Sequence, residues 1–216
     1  IAGGADAILT SFGIAEAFAR ELSRVGLIVR SDGASTNLGT PSTGSLSRFF
    51  GPEDALRLGA DALVVTALPG SDKEAMTLET PARTTAEAHR WALPVLGETV
   101  PGGFNGPAES RGTDAIALAA RLGAELGADF VKAPYSENYS DVTANTFVPV
   151  VILGGSKGDE TAMLSNIRDA IDAGAKGVAI GRNVFQCENP TAMTKAIVAV
   201  VHEDASVDEA LAILAG

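Results

Sequence analysis

The sequence predicts an α/β fold, a (β/α)8 barrel, from three observations. Short apolar runs of strand length alternate with helical stretches along all 216 residues. Four of these runs open with the same Gly-Ala pair, and one unmarked apolar run lies between each two marked ones. Strand–helix alternation favours parallel strands joined by right-handed crossovers. We therefore interpret residues 1–216 as a single barrel domain, a length that can bury one large core.

The marked segments share a glycine start and an apolar run. The glycine suits the left-handed C-cap of a preceding helix, and the apolar run suits a strand buried on both faces of a parallel sheet. The four segments are 4–10, 59–66, 127–132 and 174–181.

The unmarked strands bring the predicted total to seven, whereas a closed barrel of this type needs eight. They cover 27–30, 94–100 and 149–153. The alternation requires one more unmarked strand before Gly4, so we expect strand 1 and helix 1 to be missing from this chain. An open doubly wound sheet is the alternative. It is less favoured because no Gly-x-Gly-x-x-Gly fingerprint follows an early strand.

Helices and long connections fill the remaining sequence. Two Gly-rich connections, 31–51 and 101–112, follow strand ends, where barrel enzymes place their active sites. The predicted helices are 52–58, 113–126, 159–173, 190–201 and 206–214.

Composition excludes several functional classes. The net charge of −11 argues against nucleic acid or an anionic membrane as a partner, although backbone N–H groups can still bind a small phosphorylated molecule. No apolar run approaches the roughly 18 residues that span a bilayer. The single cysteine, Cys187, cannot form an internal disulfide, which favours the cytoplasm. With two histidines, a three-histidine zinc site is impossible, and we expect no metal and no other cofactor.

Lys132 is the first candidate for chemistry. It is one of only 5 lysines and lies inside an apolar strand that Pro134 closes. An apolar environment disfavours the charged form of a lysine, and a neutral amine is a nucleophile that forms Schiff bases with ketones. The alternative is a structural lysine that reaches solvent or pairs with a carboxylate.

Glu98 is the second candidate. Alternation along its strand puts Leu96, Glu98 and Val100 on one face. If that face is the barrel interior, Glu98 lies one strand from Lys132 and could act as a general acid or base. The alternative is an ion pair that only neutralises Lys132. Both hypotheses predict that the two groups lie close together.

A phosphate site is predicted where the last two strands, 149–153 and 174–181, end. They are strands seven and eight when the missing strand 1 is counted. Glycines let a backbone approach phosphate, and the corresponding loops of barrel enzymes often bind one. An ordinary turn is the alternative for the two adjacent glycines. Lys157 is a further source of positive charge. The predicted site residues are Gly154, Gly155, Ser156, Gly181 and Arg182.

Weaker candidates lie at other strand ends. Tyr135 follows Lys132 by three residues and is interpreted as an ordinary loop tyrosine. Polar residues that could bind substrate hydroxyls are Thr10, Ser11, Ser31, Asp32 and Thr66.

Three motifs carry a family resemblance: Ala128-Asp129-Phe130-Val131-Lys132, Leu153-Gly154-Gly155-Ser156-Lys157 and the run 174–186. Together they resemble the class I aldolases of the archaeal and bacterial fructose-bisphosphate aldolase type, which are related to deoxyribose-phosphate aldolase. The resemblance implies a (β/α)8 barrel, a Schiff base at Lys132 and a homo-oligomer. It also implies that phosphate binds at Gly154, Gly155, Gly181 and Arg182.

Two features depart from that family. Its members usually carry an aspartate at the end of strand one, which is missing here. Many also carry a tyrosine general acid in a Tyr-Pro-Arg-Gly run, where this chain has Val100-Pro101-Gly102-Gly103. Glu98 is therefore the better acid–base candidate. In this respect the chain resembles the related tagatose-bisphosphate aldolases. The identity of the substrate stays open.

The leading hypothesis is a metal-independent class I aldolase. Lys132 attacks the ketone of a phosphorylated ketose, fructose 1,6-bisphosphate or a similar sugar, and the iminium accepts electrons during C–C cleavage. One rival keeps the Schiff base but is a transferase or synthase. Another is a phosphate-ligand-binding barrel without catalysis, in which Lys132 is only an ion-pair partner.

Overall fold

The computed structural model describes residues 1–33, 47–155 and 157–216. Seven strands form one parallel sheet in the order β1-β2-β5-β6-β7-β8-β9, and β3 pairs with β4 in a separate antiparallel ribbon. The strands are β1 (Ala7–Thr10), β2 (Gly26–Arg30), β3 (Asp32–Gly33), β4 (Ser47–Arg48), β5 (Ala62–Ala67), β6 (Val95–Thr99), β7 (Phe130–Pro134), β8 (Val150–Leu153) and β9 (Gly177–Ala179).

Helices follow most strands of the barrel. Two 3-10 turns, His89–Trp91 and Ala108–Arg111, precede β6 and α5. The α-helices are α1 (Phe12–Ala17), α2 (Ala19–Leu22), α3 (Pro52–Arg57), α4 (Glu74–Ala88), α5 (Thr113–Glu125), α6 (Tyr139–Asn145), α7 (Glu160–Asp172), α8 (Arg182–Phe185), α9 (Pro190–His202) and α10 (Val207–Ala215).

The seven parallel strands form a nearly closed barrel, which confirms the predicted fold class. Within the described residues, β1 and β9 are the two edges of the sheet. This arrangement is that of a TIM barrel lacking one strand. All seven predicted strands are present, each within a few residues of its expected bounds.

No bounds were predicted for helix α4 from the sequence. It carries Pro81 in its interior and four threonines, residues that weaken a helical pattern. Thr77, Thr84 and Thr85 are buried, so its inner face is polar in composition although it packs on the sheet. Packing against β5 therefore overrides its weak helix propensity.

The core lies between the sheet and the helices. Val131 and Ala133 of β7 are fully buried and belong to an apolar cluster with Ile116 of α5. Since successive side chains of a strand point to opposite faces, Lys132 projects to the other side, into the barrel. The helix layer thus determines which face of β7 is left for chemistry.

The Gly-Ala repeats have the predicted helix-ending role, and their aspartates have another. Gly59 and Gly127 have positive φ of 74° and 96°, which a left-handed helix end requires. The following aspartates bond residues at or next to the start of the neighbouring strand: Asp61 Oδ2 accepts from Leu27 N (2.8 Å), and Asp129 Oδ2 accepts from Val95 N (2.7 Å). Each aspartate N–H also donates to the carbonyl of that same residue, at 2.8 Å and 2.9 Å. Each pair of neighbouring strands is therefore fixed where it begins.

Candidate active site

Three polar residues lie in one row across the barrel. Thr66 of β5 pairs with Glu98 of β6, which pairs with Lys132 of β7 in the parallel register. The same alternation that turns Val131 outward turns all three side chains inward. The row lies near the carboxyl ends of the strands, the face where barrel enzymes carry out catalysis.

Lys132 and Glu98 are in direct contact. The Lys132 ammonium donates to Glu98 Oε1 at 2.7 Å, and the two residues are only 9% and 3% exposed. The sequence predicted this proximity from strand alternation, and the structure confirms it. The contact alone is compatible with both a catalytic pair and a structural ion pair.

Arg30, at the end of β2, is a site residue that was not predicted from the sequence. Its Nη2 donates to Glu98 Oε2 at 2.6 Å, and its Nη1 donates to Asp32 Oδ1 and Thr66 Oγ1, each at 2.9 Å. A signal was available, because Arg30 is a basic residue that ends an apolar strand, as Lys132 nearly does. Its side chain is 24% exposed, so the guanidinium borders the barrel mouth.

Asp32 and Thr66 belong to the same network. Asp32 Oδ2 accepts from Thr66 N at 2.6 Å while its Oδ1 holds Arg30, and Asp32 is 3% exposed. Thr66 Oγ1 also lies 3.4 Å from Glu98 Oε2. We predicted that these two residues could bind substrate hydroxyls. In the structure, both side chains already form hydrogen bonds with other protein groups.

Burial and charge act against each other at Glu98. Burial alone would raise the pKa of this carboxyl, but the positive charges of Arg30 and Lys132 outweigh it, so the pKa lies below its usual value. At Arg30 burial likewise opposes the charged form, and the carboxylates of Glu98 and Asp32 raise the pKa above its usual value. Two cations and two carboxylates make the network neutral as a whole, which is the condition for burying four charges.

The predicted phosphate residues lie at the ends of β8 and β9. A Cβ at Gly154 would lie 2.8 Å from Ile180 Cγ1 and 3.0 Å from Ile180 Cα, so the two strand ends meet only because this residue is glycine. Gly155 has a positive φ of 63°, which indicates a sharp turn. Arg182 is exposed, and within the described residues its side chain has no hydrogen bond or ion pair. Ser156 lies outside the described residues.

Asn183 joins these two strand ends and was not among the predicted site residues. Its Nδ2 donates to Gly154 O at 2.8 Å, and its Oδ1 accepts from Gly158 N at 3.0 Å. It is 6% exposed. Lys157, the other predicted cation, donates to the carbonyl of Gln186 at 2.5 Å. Gly154, Lys157 and Gly158 are therefore each tied by a hydrogen bond to α8 or to the residue that follows it.

The family tyrosine position is apolar in this chain. Val100 is 1% exposed and packs against Leu68, beyond the end of β6. The connection that follows is ordered by Arg111, whose Nη2 donates to Gly103 O and Phe104 O at 3.3 Å and 2.8 Å. Tyr135 follows the last residue of β7, and its hydroxyl lies 3.4 Å from Asp169 Oδ2 of α7.

Two absences hold for residues 1–33, 47–155 and 157–216. None of the helices there is both long enough and apolar enough to cross a membrane. In the same ranges, no three or more His, Cys, Asp or Glu side chains are grouped so that they could hold a metal ion.

Comparisons with known proteins place this geometry. A sequence model described as "DeoC/LacD family aldolase" matches residues 1–187. The chain is 42% identical over 215 residues to 2-amino-3,7-dideoxy-D-threo-hept-6-ulosonate synthase of Halobacterium salinarum, covering 98% of this chain and 79% of the relative. It is 34% identical over 208 residues to 3-hydroxy-5-phosphonooxypentane-2,4-dione thiolase of Enterobacter sp. strain 638, covering 95% and 68%.

Solved structures give the same result. An archaeal fructose-1,6-bisphosphate aldolase, with its catalytic lysine covalently bound to the carbinolamine intermediate of the substrate, is similar with a TM-score of 0.83 and 31% identity. The match covers 93% of this chain and 80% of that one. The resemblance to class I aldolases and the prediction of an aldolase-family enzyme are both confirmed. The hypothesis of a barrel without catalysis is set aside.

Proposed function

Because the chain belongs to the DeoC/LacD family of aldolases, we propose that it makes or breaks the bond between the α and β carbons of a ketone through a Schiff base on Lys132. The substrate of this proposal is a phosphorylated ketose or a related phosphorylated ketone. Neither a bound metal nor another cofactor takes part in the proposed mechanism.

Within an aldolase family member, one observation carries the proposal: the 2.7 Å contact between Lys132 Nζ and Glu98 Oε1 inside the barrel. A lysine attacks a ketone only as a neutral amine, so its proton needs an acceptor at the moment of attack. Glu98 touches that proton and is 3% exposed, so the transfer occurs without bulk water. An exposed pair would be screened and would offer no such control.

The proposed steps follow from this contact. Lys132 passes a proton to Glu98 and attacks the carbonyl carbon, and a second proton moves from its nitrogen to the carbonyl oxygen, so that a neutral carbinolamine forms. Glu98 then returns the proton to the carbinolamine oxygen, which leaves as water and yields an iminium. Next, the Glu98 carboxylate removes the proton of the hydroxyl two carbons away from the iminium carbon. The C–C bond breaks, its electron pair flows to the iminium, and an aldehyde and an enamine result.

The network keeps its charge through the bond-breaking step. Before cleavage the iminium and Arg30 are positive, while Glu98 and Asp32 are negative. After cleavage the enamine and the protonated Glu98 are both neutral, and the Arg30–Asp32 pair is unchanged. Since burying a net charge is costly, a reaction that leaves the buried sum at zero avoids that cost.

The phosphate of the substrate is assigned to the ends of β8 and β9. Support comes from the close approach of Gly154 to Ile180, the turn at Gly155, and the unpartnered Arg182 next to Gly181 among the described residues. A guanidinium without a protein partner is free to form charge-assisted hydrogen bonds with a phosphoryl group. Ser156 would add a hydroxyl donor.

Two reaction types remain for the same Schiff base. Cleavage of fructose 1,6-bisphosphate or a similar ketose is supported by the likeness to the archaeal aldolase. A synthase or transferase acting on a phosphorylated sugar is supported by the synthase at 42% identity and by the thiolase at 34%. Both types proceed through the same enamine.

Three further proposals concern the whole chain. We propose that residues 1–216 work as one barrel domain and that the chain acts in the cytoplasm, supported by a single cysteine that has no partner in the sequence. We also propose a homo-oligomer. Its support is the exposure of large apolar side chains, among them Leu118 at 67% and Phe147 at 63%.

The Schiff base is tested by borohydride reduction in the presence of dihydroxyacetone phosphate or fructose 1,6-bisphosphate, followed by peptide mass mapping. We expect a reduced adduct on Lys132. The variant Lys132→Met should form none and should lose turnover by roughly 1,000-fold or more, because no other group supplies the amine. Lys195→Met, at an exposed position of α9, is the matched control and should behave as wild type.

The outcome that overturns the proposal is specific. If both compounds leave Lys132 unmodified, or if the adduct is on another lysine, Lys132 is not the nucleophile. Comparing product formation from fructose 1,6-bisphosphate with that from other phosphorylated ketoses then distinguishes the candidate substrates.

A further inference from the structure

Arg30 and Asp32 surround the far side of Glu98. The carboxylate of Glu98 has two oxygens with different partners: Oε1 accepts from Lys132 (2.7 Å) and Oε2 accepts from Arg30 (2.6 Å). Arg30 divides its own donors, giving Nη2 to Glu98 and Nη1 to Asp32 (2.9 Å). The side chain of Glu98 is thus held so that one oxygen always faces the lysine.

The charge on Arg30 has an electrostatic consequence for that carboxylate. A guanidinium within hydrogen-bond distance of a buried carboxylate favours its ionised form strongly. With Lys132 on the other oxygen, Glu98 has two cations in contact, and a carboxylate so held is a poor proton acceptor. Because Glu98 must accept a proton in the reaction, the stabilisation of its ionised form by the two cations has to be weakened by another group.

Asp32 weakens the effect of the Arg30 charge on Glu98. Its carboxylate contacts the same guanidinium, its second oxygen is fixed by the Thr66 N–H at 2.6 Å, and it is 3% exposed. The charged groups that reach Glu98 are therefore Lys132 from β7 and Arg30 from β2, with Asp32 from β3 opposing Arg30. Thr66 from β5 contributes a neutral hydroxyl.

We infer that Arg30 and Asp32 form a positioning pair: Arg30 holds the Glu98 carboxylate ionised and facing Lys132, and Asp32 weakens that hold so that Glu98 still accepts a proton. Neither residue needs to contact the reacting atoms. This inference rests on the proposed function, since it concerns the proton transfer that Glu98 performs there.

The two members of the pair have opposite predicted effects on pH dependence. Arg30→Gln removes a positive charge beside Glu98, so the carboxylate protonates more easily and the acid limb of the rate profile moves to higher pH. Asp32→Asn leaves the charge of Arg30 unopposed, so the acid limb moves to lower pH. Each shift should be roughly one pH unit, the usual size for one charge at this range. Asn at 32 can still accept from Thr66 N–H through its amide oxygen, so the fold contact is retained.

The experiment follows a partial reaction, so the aldehyde partner need not be known. Exchange of the α-hydrogens of dihydroxyacetone phosphate with deuterium from the solvent is measured by NMR across pH 4 to 9, because this exchange requires both the iminium and a base. Borohydride trapping at Lys132 is measured on the same samples. Arg30→Lys keeps the positive charge but loses the two guanidinium nitrogens that bond Glu98 and Asp32. The acid limb should therefore stay near its wild-type position, while the rate falls roughly tenfold.

Each outcome has one meaning. Acid limbs that shift in opposite directions support the positioning pair, and limbs that stay in place or shift together overturn it even if both variants are slow. If Arg30→Gln does not fold, Asp32→Asn and Arg30→Lys still test the inference. A purely structural role of Asp32 predicts that Asp32→Asn does not move the acid limb to lower pH. Absence of trapping in the wild type would count against the proposed function instead, whereas trapping without opposite shifts defeats only this inference.

Discussion

The two ends of the candidate site are built in different ways. At the Lys132 end, four charged side chains are paired with each other, and three of them are at most 9% exposed. At the Arg182 end, the cation is exposed, and the neighbouring glycines Gly154 and Gly158 are hydrogen-bonded to the Asn183 side chain. The first end is complete without a ligand, whereas the second end has a charge for a ligand to neutralise. This contrast suggests that chemistry is preorganised at one end and affinity is provided at the other.

The largest effect should come from replacing Glu98, the proposed general base of the preorganised end. Glu98→Gln keeps the shape but removes the proton acceptor, and turnover should fall by about 100-fold to 10,000-fold. The reduced adduct on Lys132 should still be detectable at long incubation, because attack requires only a neutral amine. Steady-state kinetics and borohydride trapping on the same preparation measure the two quantities.

The control for this variant is Glu125→Gln, which removes an equivalent carboxylate from the exposed ion pair with Arg121 on α5. That change should leave turnover within twofold, since exposed helix pairs contribute little. A loss of less than tenfold for Glu98→Gln would mean that another group performs the proton transfer.

A smaller effect is expected at the open end. Arg182→Gln should raise KM for a phosphorylated substrate by about 10-fold to 100-fold, the range lost with one charge-assisted hydrogen bond, and should change kcat little. Trapping with unphosphorylated dihydroxyacetone should be unaffected. Lys195→Gln, which removes one positive charge from the outer surface of α9, controls for net charge. Equal KM values for Arg182→Gln and wild type would place the phosphate elsewhere.

The smallest effect concerns stability and pH. The pKa of Glu98 is lower in the folded protein than its ordinary value, so the carboxylate stabilises the fold at pH values above about 4.3. This contribution is lost as the pH falls toward the lower folded pKa. The melting temperature of wild type should therefore exceed that of Glu98→Gln by several degrees at pH 7, and the gap should narrow below pH 4. A gap that stays constant down to pH 3 would contradict the ion-pair account.

The sequence revealed the preorganised end only in part. Lys132 and Glu98 could be recognised because a charge inside an apolar, alternating strand is costly and therefore informative. Asp32 could not be linked to them, because it follows its strand within a polar connection and its partners are 34 residues away at Thr66 and two residues away at Arg30. Contacts of this kind depend on how strands are arranged around the barrel, which residue patterns along one strand do not encode.

The fold shows the same division between local and long-range signals. The Gly-Ala starts gave the strand positions because helix ends and buried strands have local requirements. The bounds of helix α4 could not be predicted, because its threonines and Pro81 weaken the pattern of a helix that packing stabilises. The hydrogen bonds of Asp61 and Asp129 were missed as well, since each joins residues 34 positions apart.

Those two aspartates have a consequence for which changes in chain length the enzyme can tolerate. Asp129 bonds Val95, and the candidate site residues follow at equal intervals: Lys132 comes three residues after Asp129, and Glu98 comes three residues after Val95. Arg30 likewise comes three residues after Leu27, the partner of Asp61. An insertion within either three-residue interval would turn one partner out of the barrel, because a shift of one residue reverses the face of a strand. An insertion in the loop before an aspartate would leave both intervals equal, so natural length variation is expected there and not between the aspartate and the lysine.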